Sequence, residues 1–411
     1  MSIHSGAWRK FGGGLAVLVA AVAILCWWLG GQIGVDSAVY RGGALALVHG
    51  DPLYGTLRFS PTASLGLPFT YPPMAGLLFL PLAALPPQLV WGVFAVLTVL
   101  GLVLVLRASV TAPSRVRLVP VLGIGAFLLE PVWRGLGLGQ INVALMALVV
   151  LDVLVLPRSR YRGVLVGLAA AIKLTPLIFV LHLLVTGRRA DAARAVGTFL
   201  GLNAISLLVL PQDTLTFWRA QLLGGNNATG ASYGRNQTLN GLIQRLTGHP
   251  GGAFTIAVLA GLVCLAIALP LARRMHQRGE TLGALLVTAF CGLLVSPISW
   301  THHWVWIVPL AGLLVTRAVR NPNLSTILPI VGLAALFTDL CTLVPAGENA
   351  EAHWNLTQQL AGNSYVLATL AVGAVLAVRE FFWRPSIPST SDERPNAEVS
   401  RANGIPAATL G

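Results

Sequence analysis

The stretch Gly34-Val35-Asp36-Ser37-Ala38-Val39-Tyr40-Arg41 follows the first long apolar run of the chain, which ends at about Gly31. It places the carboxylate of Asp36 where a membrane helix would meet water. An ionisable side chain at that depth costs free energy unless a partner, a substrate or a cavity compensates it, so it indicates a functional site. The alternative is that Asp36 is an N-cap, which accepts the amide protons of a short helix over 37–48.

The amino-acid composition indicates a membrane protein. Of the 411 residues, 55% are hydrophobic and only 10% are charged, which excludes an ordinary soluble domain. The formal net charge of +13 comes from arginines in short clusters between apolar runs, which is typical of membrane topology and not of a nucleic-acid site. The four cysteines lie inside apolar runs without metal-ligand spacing, so we interpret them as small core hydrophobes. No cofactor, disulfide or zinc site is predicted.

About twelve apolar runs are long enough to cross the hydrocarbon layer or able to pair as half-length helices. They lie near 12–31, 88–106, 118–130, 141–156, 164–173, 175–186, 195–211, 251–272, 282–297, 303–316, 324–344 and 361–378. With the N-terminus inside, most basic residues fall in cytoplasmic segments. The outer segments hold only Arg41, Arg58, Arg134, Arg219, Arg235 and Arg245. This asymmetry follows the positive-inside rule and places both termini on the cytoplasmic side of a plasma membrane.

We therefore predict an all-α, polytopic integral membrane protein. Residues 1–11 form a cytoplasmic N-tail, 12–379 a single transmembrane domain, and 380–411 a polar cytoplasmic tail that is predicted to be disordered. The apolar run 74–85 is too short to span and is bracketed by prolines, so it is predicted to be a periplasmic helix at the membrane interface in the first outer loop.

The short runs 164–173 and 175–186 have arginines on both outer flanks and meet at Lys173-Leu174-Thr175-Pro176. This pattern predicts two short helices with a break between them at membrane depth or near the outer face. Such a break is tolerated only where the backbone lines a protein-walled or water-filled cavity. Lys173 is therefore a candidate site residue, although it could instead extend to the outer headgroups.

Polar residues that apolar periodicity does not explain collect at the outer ends of the predicted spans. They are Asp36, Tyr40, Arg41, Tyr71, Glu130, Gln140, Asn142, Lys173, Asn236, Gln237, Trp300, His302 and His303. Several have a structural alternative. Gln140 and Asn142 are possible helix-end caps, Tyr71 opens a possible rigid turn, and Trp300 is typical of an interfacial aromatic belt. Their convergence on one face of the membrane favours a site facing the periplasm.

The same residues suit one kind of chemistry. A carboxylate is able to act as general base on an attacking hydroxyl. Lys173, arginines, His302 and His303 are able to hold a phosphate as it leaves. The sequence has no P-loop and no dinucleotide-binding glycine motif. A phosphate-linked donor would therefore arrive through the lipid.

Seven segments, in order, resemble the actinobacterial polyprenol-phosphate-mannose-dependent α-1,2-mannosyltransferases of glycosyltransferase family 87, which have the GT-C fold. The segments are Val35-Asp36-x-x-Val39-Tyr40, Phe69-Thr70-Tyr71-Pro72-Pro73, Glu130-Pro131, Gly139-Gln140-Ile141-Asn142, Lys173-Leu174-Thr175-Pro176, Asn236-Gln237 and Leu294-Val295-Ser296-Pro297-Ile298-Ser299-Trp300-Thr301-His302-His303-Trp304-Val305-Trp306. No single segment is specific, but the ordered set is.

The resemblance implies an inverting transfer of mannose from a polyprenyl-phosphate-mannose donor onto a glycolipid, such as a phosphatidylinositol mannoside, or onto a lipoglycan. It implies that Asp36 is the catalytic base, assisted by His302 and His303. The donor would be held by Lys173, Tyr71, Gln140, Asn142 and Glu130. The acceptor would be held by Tyr40, Arg41, Asn236, Gln237 and Trp300. No metal is predicted, because adjacent histidines on one helix face apart.

One departure from the family pattern affects acceptor choice. Ser37 and Ala38 stand where relatives usually have a larger apolar residue and a histidine. Two other functions compete with the transferase. A transporter or flippase of lipid-linked sugars would also use broken helices and midplane cations. A non-catalytic envelope scaffold would tolerate the loss of Asp36, Lys173 and His302 together.

Overall fold

The computed structural model describes residues 34–58, 66–111, 115–156, 159–223, 230–248, 250–347 and 350–383. Within these ranges the chain is helical, and extended pairing is limited to one antiparallel bridge between Asn236 and Trp300. The all-α prediction is confirmed for this part of the chain. The predicted N-tail 1–11, the first span 12–31 and residues 384–411 of the predicted tail lie outside it.

The first half of the chain forms nine helices within the described ranges. They are α1 (Val35–His49), α2 (Pro73–Phe79), α3 (Pro87–Ser109), α4 (Arg115–Ala126), α5 (Glu130–Leu138), α6 (Asn142–Val150), α7 (Val164–Ile172), α8 (Ile178–Val185) and α9 (Arg189–Val209). A 3₁₀ helix, Leu80–Ala84, continues α2, and a π-helical turn, Leu151–Val155, continues α6. Pro72 and Pro73 at the start of α2 set its first turn, because proline fixes φ near the helical value.

The second half of the chain forms eight more helices in the described residues. They are α10 (Pro211–Leu223), α11 (Leu239–Thr247), α12 (Pro250–Gln277), α13 (Thr281–Val295), α14 (Ile307–Arg320), α15 (Leu324–Phe337), α16 (Leu356–Gly362) and α17 (Ser364–Val378). The 3₁₀ helix Thr301–Trp306 leads into α14. A π-helical turn, Arg379–Trp383, extends α17 into the segment that the sequence assigned to the tail.

In the described part of the chain, four helices are long and apolar enough to cross a membrane: Pro87–Ser109, Arg189–Val209, Gly252–Gln277 and Ser364–Trp383. A fifth crossing is reached if α4 and α5, which are bent by 67° at a short break, count as one span. Other apolar segments, among them Asn142–Val155 and Thr281–Val295, are shorter than a full span. The protein is thus a multi-pass membrane protein, while the number of about twelve spans stays a prediction.

The broken helix predicted at Lys173 is confirmed. Helix α7 ends at Ile172, Lys173 is extended (φ −148°, ψ 133°), and the 3₁₀ turn Thr175–Leu177 leads into α8. Pro176 contributes to this break because it has no amide proton and disfavours helix in the residue before it. Lys173 therefore projects its side chain from the extended segment between two helices and not from the face of a helix.

The packing of the helices brings distant parts of the chain to one place. The first turns of α1 pack against α3 and the end of α5. Helix α5 packs on the 3₁₀ helix Thr301–Trp306, which also contacts α6 and α13. The Nε1 of Trp91 on α3 donates a hydrogen bond of 2.8 Å to the carbonyl of Leu136. The start of α1, the loop between α5 and α6, the break at Lys173 and the 3₁₀ helix thus surround a common region.

Candidate active site

Asp36 lies in the first turn of α1 and is not its N-cap. The N-cap is Gly34, in the left-handed conformation (φ 80°), and no side chain caps the helix. The amide of Gly34 instead donates to the carbonyl of Gly137 at 2.7 Å, which joins α1 to α5. The N-cap interpretation of Asp36 is therefore wrong. The positive end of the α1 dipole still favours a carboxylate at this position.

Small residues allow α1 to approach the end of α5 closely. Gly139, the C-cap of α5, has φ 68°, and a Cβ there would lie 2.6 Å from the hydroxyl of Ser37. The Ser37 hydroxyl donates to the carbonyl of Gly34 at 2.9 Å, and its side chain is buried. A side chain at position 139 would therefore collide with Ser37. This contact places Gln140, the next residue, directly beside Asp36.

Gln140 connects Asp36 to two tyrosines. Its Nε2 donates to Oδ2 of Asp36 at 2.6 Å. Its Oε1 accepts from the hydroxyl of Tyr40 at 2.9 Å and from that of Tyr71 at 3.3 Å, and the two hydroxyls are 2.8 Å apart. Tyr40 is completely buried against Phe79, with ring centroids 4.9 Å apart. The two tyrosines thus fix the amide of Gln140 so that its NH₂ group faces the acid.

Asp36 is half-buried, and its surroundings favour proton uptake. Burial raises the pKa of Asp36, while the hydrogen bond from Gln140 and the positive charge of Lys173 oppose that shift. Asp36 and Lys173 therefore act on each other electrostatically, although they lie beyond ion-pair distance. A carboxylate with a raised pKa that can lose its proton again has the property that general-base chemistry requires.

Lys173 is held by three groups from three other segments. Its Nζ donates to Oδ1 of Asn142 at 2.8 Å and lies 3.3 Å from Nε2 of His303. The same ammonium lies 5.3 Å from the ring centroid of Tyr71, within the range of a cation–π contact. Asn142 in turn donates from Nδ2 to the carbonyl of His302 at 3.0 Å. These contacts fix the cation inside the protein, so the alternative that Lys173 extends to the headgroups is not what the structure shows.

A narrow cavity of about 50 Å³ opens beside Lys173. Its polar lining includes Asn142, Lys173, Ser299 and His303. Its apolar lining includes Leu145, Met146, Val149, Phe179 and Leu293. Since α6 rises about 1.5 Å per residue, Val149 lies roughly 10 Å along the helix from Asn142. The cavity therefore joins a charged region to an apolar one.

The two histidines contact each other without sharing a ligand site. Their ring centroids are 4.8 Å apart and the rings are nearly perpendicular, at 86°. His303 faces Lys173, whereas Nε2 of His302 is buried and has no hydrogen-bond partner among the described residues. In the described part of the chain, no three His, Cys, Asp or Glu side chains come close enough together to hold a metal ion.

Two predicted site residues are bound to other parts of the protein. Glu130 is completely buried, pairs with Arg134, and accepts from the hydroxyls of Thr301 at 2.7 Å and Tyr365 at 3.2 Å. Arg41 donates from Nε to the carbonyl of Leu85 at 2.7 Å. Both oxygens of Glu130 are thus engaged in joining α5, the 3₁₀ helix Thr301–Trp306 and α17. A role for either residue in substrate binding stays a prediction.

Asn236 and Gln237 join the segment 230–238 to the segment before His302. Oδ1 of Asn236 accepts from the amide of Ser299 at 2.9 Å, and its Nδ2 donates to the carbonyl of Ala231 at 2.8 Å. Nε2 of Gln237 donates to the carbonyl of Gly362 at 2.6 Å. Trp300 packs on Tyr233, with ring centroids 5.9 Å apart. The observed contacts are structural, and the predicted acceptor role of these residues is not tested by them.

One residue beside the site was not singled out from the sequence. Arg235 precedes Asn236, and its Nη1 is buried without a hydrogen-bond partner in the described residues. By sequence Arg235 is only one of six arginines in the outer segments. Its position next to Asn236-Gln237, a segment that carries the family resemblance, was the available signal.

Fold and site together define a multi-pass helical membrane protein with a site that combines a half-buried carboxyl group and a cation held by protein groups. The sequence profile of glycosyltransferase family 87 matches residues 69–297. A relative from Mycobacterium tuberculosis (strain H37Rv) is 32% identical over 86% of this chain and 88% of its own. It is named polyprenol-phosphate-mannose-dependent alpha-(1-2)-phosphatidylinositol mannoside mannosyltransferase.

A second relative, from strain CDC 1551 of the same species, is 37% identical over 85% of this chain and 82% of its own, and is named as the corresponding phosphatidylinositol pentamannoside mannosyltransferase. A Mycolicibacterium smegmatis protein with the former name is 32% identical over 90% of each chain. No solved structure matches this chain significantly. The chain belongs to glycosyltransferase family 87, and it is a membrane-embedded glycosyltransferase.

Proposed function

We propose that this protein transfers mannose from a polyprenyl-phosphate-mannose donor to a mannoside acceptor, with inversion, to form an α-1,2 linkage. The acceptor is a glycolipid such as a phosphatidylinositol mannoside, or a lipoglycan, and the reaction takes place at the outer face of the plasma membrane. The names of the relatives support the donor and the acceptor class. The observation that carries the proposal is the chain of contacts between Asp36 and Lys173. Asp36 accepts a hydrogen bond from Gln140, Gln140 accepts one from Tyr71, and the ring of Tyr71 contacts the ammonium of Lys173.

Asp36 is the general base in this reaction. Its carboxylate takes the proton from the acceptor hydroxyl as that oxygen attacks the anomeric carbon of the mannosyl group. Gln140 holds the carboxylate through Nε2, while Tyr40 and Tyr71 hold Gln140. The base is therefore positioned before the acceptor binds, which reduces the entropic cost of reaching the transition state.

Lys173 stabilises the leaving group. As the new carbon–oxygen bond forms, the bond between the anomeric carbon and the phosphate oxygen breaks, and the electron pair stays on the polyprenyl phosphate. An ammonium fixed by Asn142 and His303 beside that oxygen stabilises the charge that develops there. Polyprenyl phosphate leaves as an anion and needs no proton, so one base and one cation are sufficient.

The separation of base and cation fits direct displacement. The acceptor and the leaving phosphate must lie on opposite sides of the anomeric carbon. Asp36 and Lys173 interact electrostatically but are not in contact, as this arrangement requires. A double displacement would need a second carboxylate near the first. Glu130 is not free for this role because Arg134, Thr301 and Tyr365 bind it.

The cavity beside Lys173 provides a path for the donor lipid. Its polar side chains suit a phosphate, and Leu145, Met146 and Val149 on α6 suit an isoprenoid chain. A volume of about 50 Å³ is far smaller than a mannosyl phosphate, so donor binding must widen it. The hinge for that movement is the break at Lys173, where the backbone hydrogen bonds of α7 end.

The test is a donor panel with purified protein in detergent. Polyprenyl-phosphate mannose, polyprenyl-phosphate glucose and a nucleotide-linked mannose are offered with phosphatidylinositol mannosides of increasing length, and the product linkage is determined by NMR. We expect an α-1,2-linked mannose from the lipid-linked donor alone. Transfer from the nucleotide donor, or a β-linked product, would contradict the proposal. A transporter would form no glycosidic bond in detergent, where no membrane separates two compartments.

A further inference from the structure

Several polar atoms around the site are buried without hydrogen-bond partners in the described residues, among them Oγ of Ser299 in the cavity wall. Two of these atoms belong to basic side chains beside the site, Nη1 of Arg235 and Nε2 of His302. The His302 side chain is only 8% exposed. A buried polar atom without a hydrogen bond costs about 1–3 kcal/mol, and more when it belongs to a charged group. Each such atom in a folded protein requires an explanation, and a ligand that completes its hydrogen bonds is one.

A second arginine, Arg245, lies ten residues after Arg235, is buried, and has protein partners for its guanidinium group. Arg245 on α11 donates from Nε and Nη2 to Oδ1 of Asn363 at 2.9 and 2.6 Å. Its Nη1 donates to the carbonyls of Asn236 at 3.0 Å and Tyr233 at 3.1 Å. The fold therefore satisfies the guanidinium of Arg245 with protein groups. It does not do so for Nη1 of Arg235, ten residues earlier.

The backbone brings Arg235 next to His302. The carbonyl of Arg235 accepts from the amide of Thr301 at 3.0 Å, and Asn236 forms the antiparallel bridge with Trp300. The amide of Gln237 donates to the carbonyl of Ser299 at 2.9 Å. Two extended segments thus run side by side, and Thr301 is followed directly by His302. The positions of Arg235 and His302 are fixed by backbone hydrogen bonds that do not depend on either side chain.

The region around His302 is strongly positive. Burial lowers the pKa of His302, and the charges of Lys173, Arg134 and Arg235 lower it further. Arg134 is neutralised by Glu130. In the described ranges, neither Lys173 nor Arg235 forms an ion pair with a carboxylate. Two cations that form no ion pair, beside a neutral imidazole with a free nitrogen, attract an anion.

We propose that Arg235 and His302, together with Lys173, bind the phosphate group of the lipid-linked sugar donor. The proposal rests on the function proposed above and adds Arg235 to its machinery. The guanidinium Nη1 and the Nε2 of His302 each donate to a non-bridging phosphate oxygen, while Lys173 faces the oxygen that leaves the sugar. The phosphate of the donor is favoured over that of an acceptor phospholipid, because Lys173 lines the cavity whose apolar side suits an isoprenoid chain.

Binding of the product tests the proposal without any turnover. The affinities of purified wild type, Arg235→Gln and His302→Phe are measured for polyprenyl phosphate, for the matched polyprenol and for phosphatidylinositol, in detergent and without acceptor. We expect each variant to bind polyprenyl phosphate about 10- to 100-fold more weakly than wild type, which is the effect of losing one hydrogen bond to a charged group. Binding of polyprenol should change less than about twofold, since it lacks the phosphate.

The matched control is Arg219→Gln, which removes the same charge from an exposed position on α10. It should bind all three lipids as wild type does. Arg235→Gln should also unfold at or above the wild-type temperature, because Nη1 has no protein partner to lose. A lower unfolding temperature with unchanged phosphate binding would assign Arg235 a structural role and overturn the proposal.

Two further outcomes would also overturn it. Equal losses for polyprenyl phosphate and polyprenol would show that the phosphate is not what Arg235 binds. A loss confined to phosphatidylinositol would move the site to the acceptor lipid. The assay also separates this proposal from the proposed function. If the wild-type protein transfers mannose and Arg235→Gln still binds polyprenyl phosphate more tightly than polyprenol to the wild-type extent, only this proposal is contradicted. If the wild-type protein binds polyprenyl phosphate more tightly than polyprenol but transfers no mannose, only the proposed function is contradicted.

Discussion

The Nε2 of Gln140 donates a hydrogen bond of 2.6 Å to Oδ2 of Asp36, although the two residues are 104 positions apart in the chain. This bond leaves the other oxygen of Asp36 available to a substrate. It also links the acid to Tyr40 and Tyr71, and through the ring of Tyr71 to Lys173. The proposed base and the cation therefore belong to one connected unit.

The substitution Asp36→Asn removes the proposed base and keeps the shape and the contact with Gln140. We expect kcat for mannosyl transfer to fall by about 10²–10⁴-fold, the usual contribution of a general base. Binding of polyprenyl phosphate should persist, since that ligand needs no base. Substantial transfer by this variant, measured with lipid-linked donor in detergent, would remove Asp36 from the mechanism.

The same substitution changes the pH dependence of stability. Because burial raises the pKa of Asp36 in the folded protein, its contribution to stability is present at low pH and is lost as the pH rises through the folded-state pKa. Asp36→Asn does not ionise, so its stability does not fall in this way as the pH rises. Near neutral pH the variant should unfold at the wild-type temperature or above it, and the two proteins should converge below pH ~3.9, where the acid is protonated in both states. Thermal unfolding in detergent at several pH values measures this difference.

Gln140 donates the hydrogen bond to Asp36, and replacing it by glutamate should shift the pH profile of kcat/KM. Gln140→Glu keeps the size of the side chain but places a second carboxyl group against Asp36. Like charges disfavour ionisation, so the acidic limb of kcat/KM should move to higher pH by about one unit or more. The exposed substitution Gln221→Glu on α10 adds the same charge away from the site and should leave the profile in place. An unshifted limb in Gln140→Glu would mean that Asp36 is not the titrating base.

Lys173→Met removes the ammonium while retaining most of the side-chain volume. We expect kcat/KM for the donor to fall by about 10²-fold or more, because the charge on the leaving phosphate loses a fixed cation. Lys173→Arg keeps the charge but not the contact geometry with Asn142 and His303, and should recover part of the activity. If both variants lose activity equally while folding normally, the positive charge is not the essential property of this residue.

Arg245→Met separates a structural arginine from the proposed phosphate ligand. The guanidinium bonds to Asn363 and to the carbonyls of Asn236 and Tyr233, which lose their donors in the variant. We expect the free energy of unfolding to fall by about 1–3 kcal/mol for each buried acceptor left without a donor. The exposed control Arg219→Met should change it by less than about 0.5 kcal/mol. An Arg245→Met protein that unfolds at the wild-type temperature would show that these bonds contribute little.

Much of the local structure was predictable because its causes are local. Apolar runs predicted the helices, and prolines on both sides predicted the separate helix that begins at Pro73. Pro176 and the short apolar runs around it predicted the break at Lys173. The residue types of the site were also apparent, since uncompensated polar groups in apolar surroundings stand out in the sequence.

Pairing between distant segments was not predictable from such patterns. In the pattern of apolar runs, Glu130 and Asp36 look the same, because both are acids near the ends of predicted spans. The packing of α5 on the 3₁₀ helix gave Glu130 three protein partners, while the contact between Ser37 and Gly139 left Asp36 with Gln140. Arg235 and Arg245 were likewise indistinguishable until their partners were visible.

The sequence by itself determined that this is a helical membrane protein with its ionisable groups gathered at span ends, because hydrophobic burial and backbone hydrogen bonding depend on neighbouring residues. Only the tertiary structure decided which of those groups face one another. Close approach of α1 to α5 at Gly139, and backbone pairing of the Arg235 and Thr301 segments, bring together side chains that are far apart in the chain. Those contacts arise from the packing of whole helices, and no local pattern encodes them.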